Sequence, residues 1–80
     1  MPRYFFDTCD GERLVADSEG MELTSLEAAK LEAQRTSAEI ARDALQGDDH
    51  RTCRVIVRDD AGQVLLRVAL TLVVEHGPGA

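Results

Sequence analysis

The sequence contains few aromatic residues: no tryptophan, one tyrosine and two phenylalanines. All three are adjacent near the N-terminus, as Tyr4, Phe5 and Phe6 in the stretch MPRYFFDTCDG. Because side chains alternate between the two faces of a β-strand, three consecutive rings cannot all enter one core. We therefore expect Tyr4 and Phe6 to face the core and Phe5 to lie on the opposite face of the sheet.

Positive charge is also scarce, with nine basic against fifteen acidic residues and a formal net charge of −6. This is the wrong sign for a protein whose affinity rests on neutralising phosphates, so nucleic acid is not the expected partner. The N-terminus lacks the features of a secretory signal, and the run from Val64 to Val74 is shorter than the roughly 20 residues of a membrane helix. We expect a cytoplasmic protein that does not bind membranes.

Recognisable catalytic and metal-binding motifs are missing, including a glycine-rich phosphate loop, GxSxG and HExxH. His50 and His76 are predicted to be solvated, and the acidic pairs at 48–49 and 59–60 lack the ligand spacing of a calcium loop. Cys9 and Cys53 are predicted to be free thiols, since their spacing matches no metal site. We predict no enzymatic activity, no catalytic residue, no metal and no cofactor.

Proline and glycine are absent from the interior of every periodic segment. Pro2 and Pro78 lie near the two ends, and all six glycines fall between periodic stretches. This spacing predicts one α+β domain over residues 1–76, followed by a flexible tail at 77–80.

The first periodic segment predicts a β-hairpin. Residues 3–9 are followed by Asp10-Gly11, a dipeptide typical of type I′ turns, and then by residues 12–16. This loop would place Phe6 opposite Val15 and Phe5 opposite Ala16. Residues 21–23 predict a further short extended piece.

The middle of the chain predicts an amphipathic helix. Thr24 and Glu27 fit a capping box, and Gly47 is the residue type that ends a helix, so the helix should run from there to about Gln46. Its predicted buried face consists of Leu26, Ala29, Ala33, Ser37, Ile40 and Ala44. A second stripe of Leu31, Ala38 and Leu45 is expected to pack on a loop or sheet edge, with a partner surface as the alternative.

The last segment predicts a second hairpin, with strands at 52–58 and 63–75 around a loop at 59–62. This register pairs Val57 with Val64, and it places Arg54 directly opposite Arg67. The last strand would outrun its neighbour and leave residues 70–74 unpaired. Like charges opposite each other are unfavourable unless they are neutralised. Asp7 or solvent is the simpler source of neutralisation, and a carboxylate or phosphate of a partner is the alternative.

These elements predict the order ββαββ, with both hairpins in one antiparallel sheet and the helix packed on one face. If the four predicted strands are numbered along the chain, the simplest sheet order is 2-1-3-4. The uncovered sheet face and the overlong last strand predict a homodimer or an unidentified protein partner. The predicted partner-binding residues are Phe5, Arg54, Ile56, Arg58, Leu65, Arg67, Leu70 and Leu72.

Several stretches resemble a known family. The opening MPRYFF-D with its DG turn, the stretch DSEG-MEL-TSLEAAKLEA and the hairpin VRDDAGQVLL resemble short uncharacterised bacterial proteins, found mainly in soil α-proteobacteria such as rhizobia and catalogued as a domain of unknown function. The resemblance runs from Met1 to about Val68 and implies no activity, cofactor or catalytic residue.

A weaker likeness is to the antitoxin domain of HicB type, in which a hairpin, a proline-containing turn and a helix precede a further strand. Residues 17–20 and 25–29 occupy comparable places, but the proline-containing turn is absent. The leading interpretation is a small non-enzymatic interaction or regulatory module. An antitoxin-like regulator linked to nucleic acid or a toxin is the alternative, and a small hydrolase or redox enzyme ranks third.

Overall fold

The fold is one antiparallel sheet covered on one face by a helix. The computed structural model describes residues 1–44 and 47–78. Its elements are β1 (Arg3–Asp10), β2 (Arg13–Val15), β3 (Met21–Glu22), α1 (Leu26–Ala44), β4 (His50–Arg58) and β5 (Val64–Val73). The strand order is β2-β1-β4-β5, and the short β3 also pairs with β1. The predicted α+β fold and sheet order are therefore confirmed.

The turn between β1 and β2 is displaced by one residue from the prediction. Asp10 pairs with Arg13 and Thr8 with Val15, so the loop is Gly11-Glu12 and the predicted pairing of Phe6 with Val15 is wrong. Gly11 has φ 65°, whereas Glu12 has no positive φ. A turn with positive φ only at its first central residue follows the type II′ pattern, which needs glycine at that position alone. The shift in pairing is two residues, so each side chain keeps its predicted face.

The helix begins one residue later than predicted. The Ser25 hydroxyl accepts a hydrogen bond from the Ala28 amide at 3.1 Å, which makes Ser25 the N-cap instead of Thr24. The Leu23 amide donates to the Pro2 carbonyl at 3.1 Å and holds the preceding residues extended beside β1. The predicted end near Gln46 lies outside the described residues, and Gly47 has φ 87°.

The core lies between α1 and the middle strands of the sheet. Tyr4, Ala29, Ala33, Val55 and Val57 form one buried cluster, against which side chains such as that of Phe6 pack. Because alanines line the helix, its backbone lies close to the sheet. The buried helix face is confirmed at its centre.

The margins of the helix differ from the prediction. Leu26 is 42% exposed and Leu31 is 59% exposed. Ala38 is exposed as well, so the expected packing of the second stripe is not observed there. Leu45 lies outside the described residues. The side chains at both margins extend beyond the width of the sheet contact, which a helical periodicity alone does not define.

The β4–β5 pairing contains a bulge that the sequence prediction missed. Val57 pairs with Leu66 and Arg58 with Val64, so Leu65 is an extra residue in β5. The Asp59 carboxylate accepts hydrogen bonds from the amides of Ala61 and Gln63 at 3.0 and 2.9 Å, which extends the turn to Gln63.

Because of the bulge, the pairing of Val57 and the position of Leu65 differ from the prediction. The predicted pairing of Val57 with Val64 is wrong by two residues. Leu65 packs against the core cluster and not on the uncovered face. A bulge re-aims a side chain in this way because the regular alternation of the strand is interrupted.

The end of β5 is paired, contrary to the expectation of an overlong strand. β4 begins at His50, two residues earlier than predicted, and its pairing reaches His50 opposite Val73. The Val74 amide then donates to the Asp49 carbonyl at 2.7 Å. The polar residues at 50 and 51 concealed this part of the strand, because they interrupt the apolar alternation.

Candidate interaction surfaces

The face of the sheet opposite α1 is here named the open face. Strand alternation and the observed registers assign its members. They are Phe5, Asp7, Cys9, Leu14, His50, Thr52, Arg54, Ile56, Arg58, Val64, Arg67, Ala69, Thr71 and Val73.

The Phe5 ring on the open face is covered by its own chain. Arg58 lies opposite Phe5, and its guanidinium carbon is 4.7 Å from the ring centroid, a cation–π distance. The turn before β3 closes on the ring from another side, because a Cβ added to Gly20 would lie 2.9 Å from Phe5 Cε2. Phe5 is half-buried as a result, so the three adjacent rings are accommodated on two faces.

Arg58 is held by an internal hydrogen-bond network. Its Nε donates to Asp7 Oδ2 and its Nη2 to the Asp17 carbonyl, both at 2.8 Å. The Asp17 amide donates to Asp7 Oδ1 at 2.8 Å. The hydrogen bond from Arg58 lowers the pKa of Asp7, and the same bond raises the pKa of Arg58. Arg58 thus serves mainly to connect β4 to the turn after β2.

Asp17 organises that turn through its carboxylate. Burial alone would raise its pKa, but hydrogen bonds from the amides of Phe6, Gly20 and Glu19 lower it below its ordinary value. The Phe6 amide donates to Oδ2, and the Glu19 and Gly20 amides donate to Oδ1, each at 3.1 Å. The residue pattern at 17–20 predicts a turn but does not indicate this role of Asp17.

Arg54 and Arg67 do not face each other directly. Arg54 pairs with Ala69 and Arg67 with Ile56, so the two arginines are diagonal neighbours on the open face. The prediction of a directly opposed pair is wrong because the turn is one residue longer than assumed and the bulge at Leu65 shifts the pairing by one more. Neither arginine forms an ion pair within residues 1–44 and 47–78. Asp7, the predicted neutralising group, contacts Arg58 instead.

A second charged cluster lies at the start of β4. Arg51 Nη2 is 2.9 Å from Asp10 Oδ2, and its Nη1 is 2.6 Å from Asp48 Oδ2. The hydrogen bond from Arg51 lowers the pKa of Asp10. An open polar cleft of about 520 Å³ adjoins this cluster, and His50 and Arg54 are among the residues that line it.

The two cysteines lie on opposite faces of the sheet. Cys9 is on the open face, and its thiol donates to the Gly11 carbonyl at 3.2 Å. Cys53 is buried on the helix face, and burial raises the pKa of its thiol. Both are free. Within the described parts of the chain, no group of His, Cys, Asp and Glu side chains is arranged to hold a metal ion.

The outer edge of β5 is the longest unpaired backbone edge in the described sheet. β4 is the only strand that pairs with β5 among residues 1–44 and 47–78, which leaves a ten-residue edge. Val74 donates its amide towards β4, so alternation assigns the outward-pointing backbone groups to odd-numbered residues from Arg67 to Val73. Leu70 is 41% exposed and Val73 is 56% exposed.

Comparison with known protein families gives a match to most of the chain. The family model DUF6894, a domain of unknown function, matches residues 3–71. The chain belongs to the DUF6894 family. The expected membership of an uncharacterised family is thus confirmed, while its occurrence mainly in soil α-proteobacteria stays a prediction. Searches of curated proteins and of solved structures find no match.

The DUF6894 match covers most of both candidate surfaces, the open face and the outer edge of β5. The strand pairing brings Phe5, Arg54, Ile56, Arg58 and Arg67 together on the open face. Leu70 and Leu72 lie on the helix side of β5, and Leu65 packs on the core. In the described residues of this DUF6894 protein, no helix has both the length and the apolar composition needed to cross a lipid bilayer.

Proposed function

We propose that this DUF6894 protein is a small non-enzymatic protein-interaction module with an accessory or regulatory role, and that it associates with itself as a homodimer. The observation that carries the proposal is the ten-residue outer edge of β5. Exposed backbone amides and carbonyls on an edge are a template for another strand. A second copy supplies an identical strand, and an antiparallel pair of identical strands has the two-fold symmetry common in homodimers.

The sequence of the edge supports association, because the usual protection of an edge strand is nearly absent. β5 contains no proline, and Arg67 is its one charged residue. Natural edge strands that remain unpaired are generally short, or carry charges, prolines or bulges along their length. The bulge at Leu65 lies near the start of β5, so the segment from Leu66 to Val73 is uninterrupted.

The shape of the molecule gives a second line of support. Its principal extents are 55 × 22 × 18 Å and its radius of gyration is 14.7 Å, whereas a compact chain of this length has a radius of roughly 12 Å. Among the residues whose burial is described, only six apolar ones are buried, and two of them are alanines. Pairing two such sheets edge to edge covers additional apolar surface that one chain leaves exposed.

The open face is a second surface through which a protein partner could bind. Arg54 and Arg67 carry positive charge beside the apolar Ile56 and Ala69, on a chain whose formal net charge is −6. Such a face is complementary to an acidic group, a carboxylate or a phosphate, on a partner. The antitoxin-like alternative stays a prediction, since the match to a domain of unknown function does not test it.

The test is the mass of the protein in solution at micromolar concentration, measured by light scattering. We expect twice the chain mass of 8.8 kDa. Ala69→Pro removes an amide assigned to the outer edge without removing a donor to β4, so it should give a folded monomer. Ala69→Ser is the matched control, because it keeps the amide and should remain a dimer.

The choice of residue 69 follows from the alternation of amides along β5. A proline at Leu72 would remove an amide assigned to the β4 side and could unfold the domain, which would make a monomer uninformative. Circular dichroism of each variant verifies the fold. A wild-type monomer at high micromolar concentration, or a dimeric and folded Ala69→Pro, would contradict dimerisation through this edge.

A further inference from the structure

The charges of Arg67 and Glu75, together with the alternation of β5 side chains between the two sheet faces, indicate how two copies align. We infer that the two β5 strands pair antiparallel about a two-fold axis at Thr71, so that Arg67 of each copy lies opposite Glu75 of the other. This inference rests on the proposed self-association and adds the identity of the paired residues. Its partner is a second copy of this chain.

Symmetry first restricts the register. In a continuous sheet with a two-fold axis normal to it, directly opposed residues lie on the same face. Odd-numbered residues from Arg67 onwards lie on the open face and even-numbered ones on the helix face. The axis must therefore lie midway between the two strands and level with one residue, which then opposes its own copy. Each other opposed pair consists of residues equally distant along the strand from that residue. Both helices then cover the same face of the combined sheet.

The single charge in β5 distinguishes among these registers. An axis at Arg67 would oppose two arginines, which is unfavourable at cross-strand distance. An axis at Val68, Ala69 or Leu70 would place Arg67 opposite Ala69, Thr71 or Val73, none of which is acidic. An axis at Thr71 places it opposite Glu75, the first carboxylate after the strand. Two symmetric ion pairs would then close the two ends of the paired segment.

The same axis also places apolar side chains of one copy opposite apolar side chains of the other. On the helix face it pairs Leu70 with Leu72 and Val68 with Val74, and on the open face it pairs Ala69 with Val73. All of these are apolar pairs, which contribute favourably in antiparallel sheets. An apolar hollow of about 190 Å³ adjoins this part of β5, and Leu70 and Leu72 are among the residues that line it.

Glu75 is held in a position suited to this pairing. Its neighbour Val74 donates its amide to the Asp49 carbonyl, and Nε2 of His76 is 2.7 Å from Asp49 Oδ2. Both contacts fasten the chain after β5 along the start of β4. Glu75 and Arg67 are exposed, and neither forms an ion pair within the described residues.

The first experiment is a cysteine cross-link at the axis, made in a Cys9→Ser background that removes the half-exposed native thiol. Thr71→Cys would oppose its own copy in a hydrogen-bonded pair, with the Cα atoms about 5.5 Å apart, within the range of a disulfide. We expect mild oxidation to convert nearly all of this variant to a covalent dimer. Ala69→Cys is the control, because its copy lies roughly 13 Å away along the strand and should remain uncross-linked.

The second experiment exchanges the charges. Arg67→Glu places like charges opposite each other twice per dimer, so we expect the dissociation constant to rise by about tenfold or more. Adding Glu75→Arg restores opposite charges with the order reversed, and should return the dissociation constant close to that of the wild type. Both variants are measured by sedimentation at moderate ionic strength, where exposed charges still interact.

The outcomes separate this inference from the proposed function. A wild-type dimer that fails to cross-link through Thr71→Cys, or a double variant that stays as weak as Arg67→Glu, would overturn the register while leaving self-association intact. A wild-type monomer would overturn both. Efficient cross-linking together with rescue by the second charge reversal would establish the Thr71 axis.

Discussion

Asp7 shows how one carboxylate connects three parts of the chain. It lies on β1, accepts a hydrogen bond from Arg58 on β4, and accepts another from the Asp17 amide in the turn after β2. Its side chain is 16% exposed, so solvent screens these contacts only in part. Through Arg58 and the Asp17 turn, the residue therefore holds the covering of Phe5 in place.

We predict that this network makes the protein sensitive to acid. Because the pKa of Asp7 is lowered from its ordinary value of 3.8, the unfolded chain binds the proton at a higher pH than the folded protein does. The stabilisation is present above about pH 4 and is lost as the pH falls through the folded pKa. In urea unfolding between about pH 2 and pH 7, the free energy of unfolding should fall less on acidification for Asp7→Asn than for the wild type.

The control for this prediction is Asp60→Asn, since Asp60 is exposed and makes no side-chain hydrogen bond within residues 1–44 and 47–78. Its unfolding curves should coincide with those of the wild type across the pH range. Equal acid declines for Asp7→Asn and the wild type would show that the network around Arg58 contributes little to stability.

Single-residue placement was predictable where it depended on alternation alone. Tyr4 is in the core, Phe6 packs against it and Phe5 lies on the open face, as the adjacent rings indicated. The opposition of Arg54 and Arg67 was wrong, because it also depended on the length of a turn and on the bulge at Leu65. Turn length here is set by hydrogen bonds to the Asp59 carboxylate, which the sequence pattern does not specify.

At the level of elements, the turn before β3 is the most tightly packed connection. Gly20 has φ 72°, and a Cβ added there would lie 2.9 Å from Arg3 Cγ and 3.0 Å from the Tyr4 carbonyl oxygen. A side chain at this position therefore meets both an unfavourable backbone conformation and the backbone of β1.

We predict that Gly20→Ala lowers the free energy of unfolding by at least about 3 kcal/mol, because conformational strain and steric overlap act together. Gly11→Ala is the matched control. Gly11 also has a positive φ, 65°, but an added Cβ would meet nothing within 4 Å. Its cost should be about 1 to 2 kcal/mol, from strain alone. Equal losses in urea unfolding would contradict the close approach at Gly20.

The existence and order of the elements were more predictable than their ends. Helix and strand periodicities gave the helix and the order of the sheet correctly, and the crossing by α1 makes β4 a neighbour of β1. The start of the helix was displaced by one residue because Ser25, not Thr24, accepts the capping hydrogen bond. The preceding Leu23 amide bonds to the Pro2 carbonyl, a contact between distant parts of the chain. The outer edge of β5 followed from the predicted order, since the last strand ended the sheet.

At the scale of the whole molecule, association should be visible in thermal stability. A dimer is favoured by mass action, so its midpoint of unfolding rises with protein concentration. For a hundredfold increase we expect a rise of about 5 to 10 °C in the wild type, measured by circular dichroism. Ala69→Pro should show a midpoint independent of concentration. The same absence of dependence in the wild type would contradict a dimer that is stable at these concentrations.

The bulge at Leu65 has a consequence for insertions and deletions in this segment. If Leu65 were paired regularly instead of bulged, continued pairing from Arg58 and Val64 would turn Leu66, Val68, Leu70 and Leu72 to the open face. Arg67 and Thr71 would turn towards the helix. Loss of Leu65 itself would remove the bulge and leave Leu66 opposite Val57, so every later residue would keep its present face. Loss of a single residue further along β5 would exchange the faces of the residues that follow it, whereas loss of two would not. From Leu66 onwards, the parity of the residue count therefore determines which side chains are buried, as strictly as their identity does.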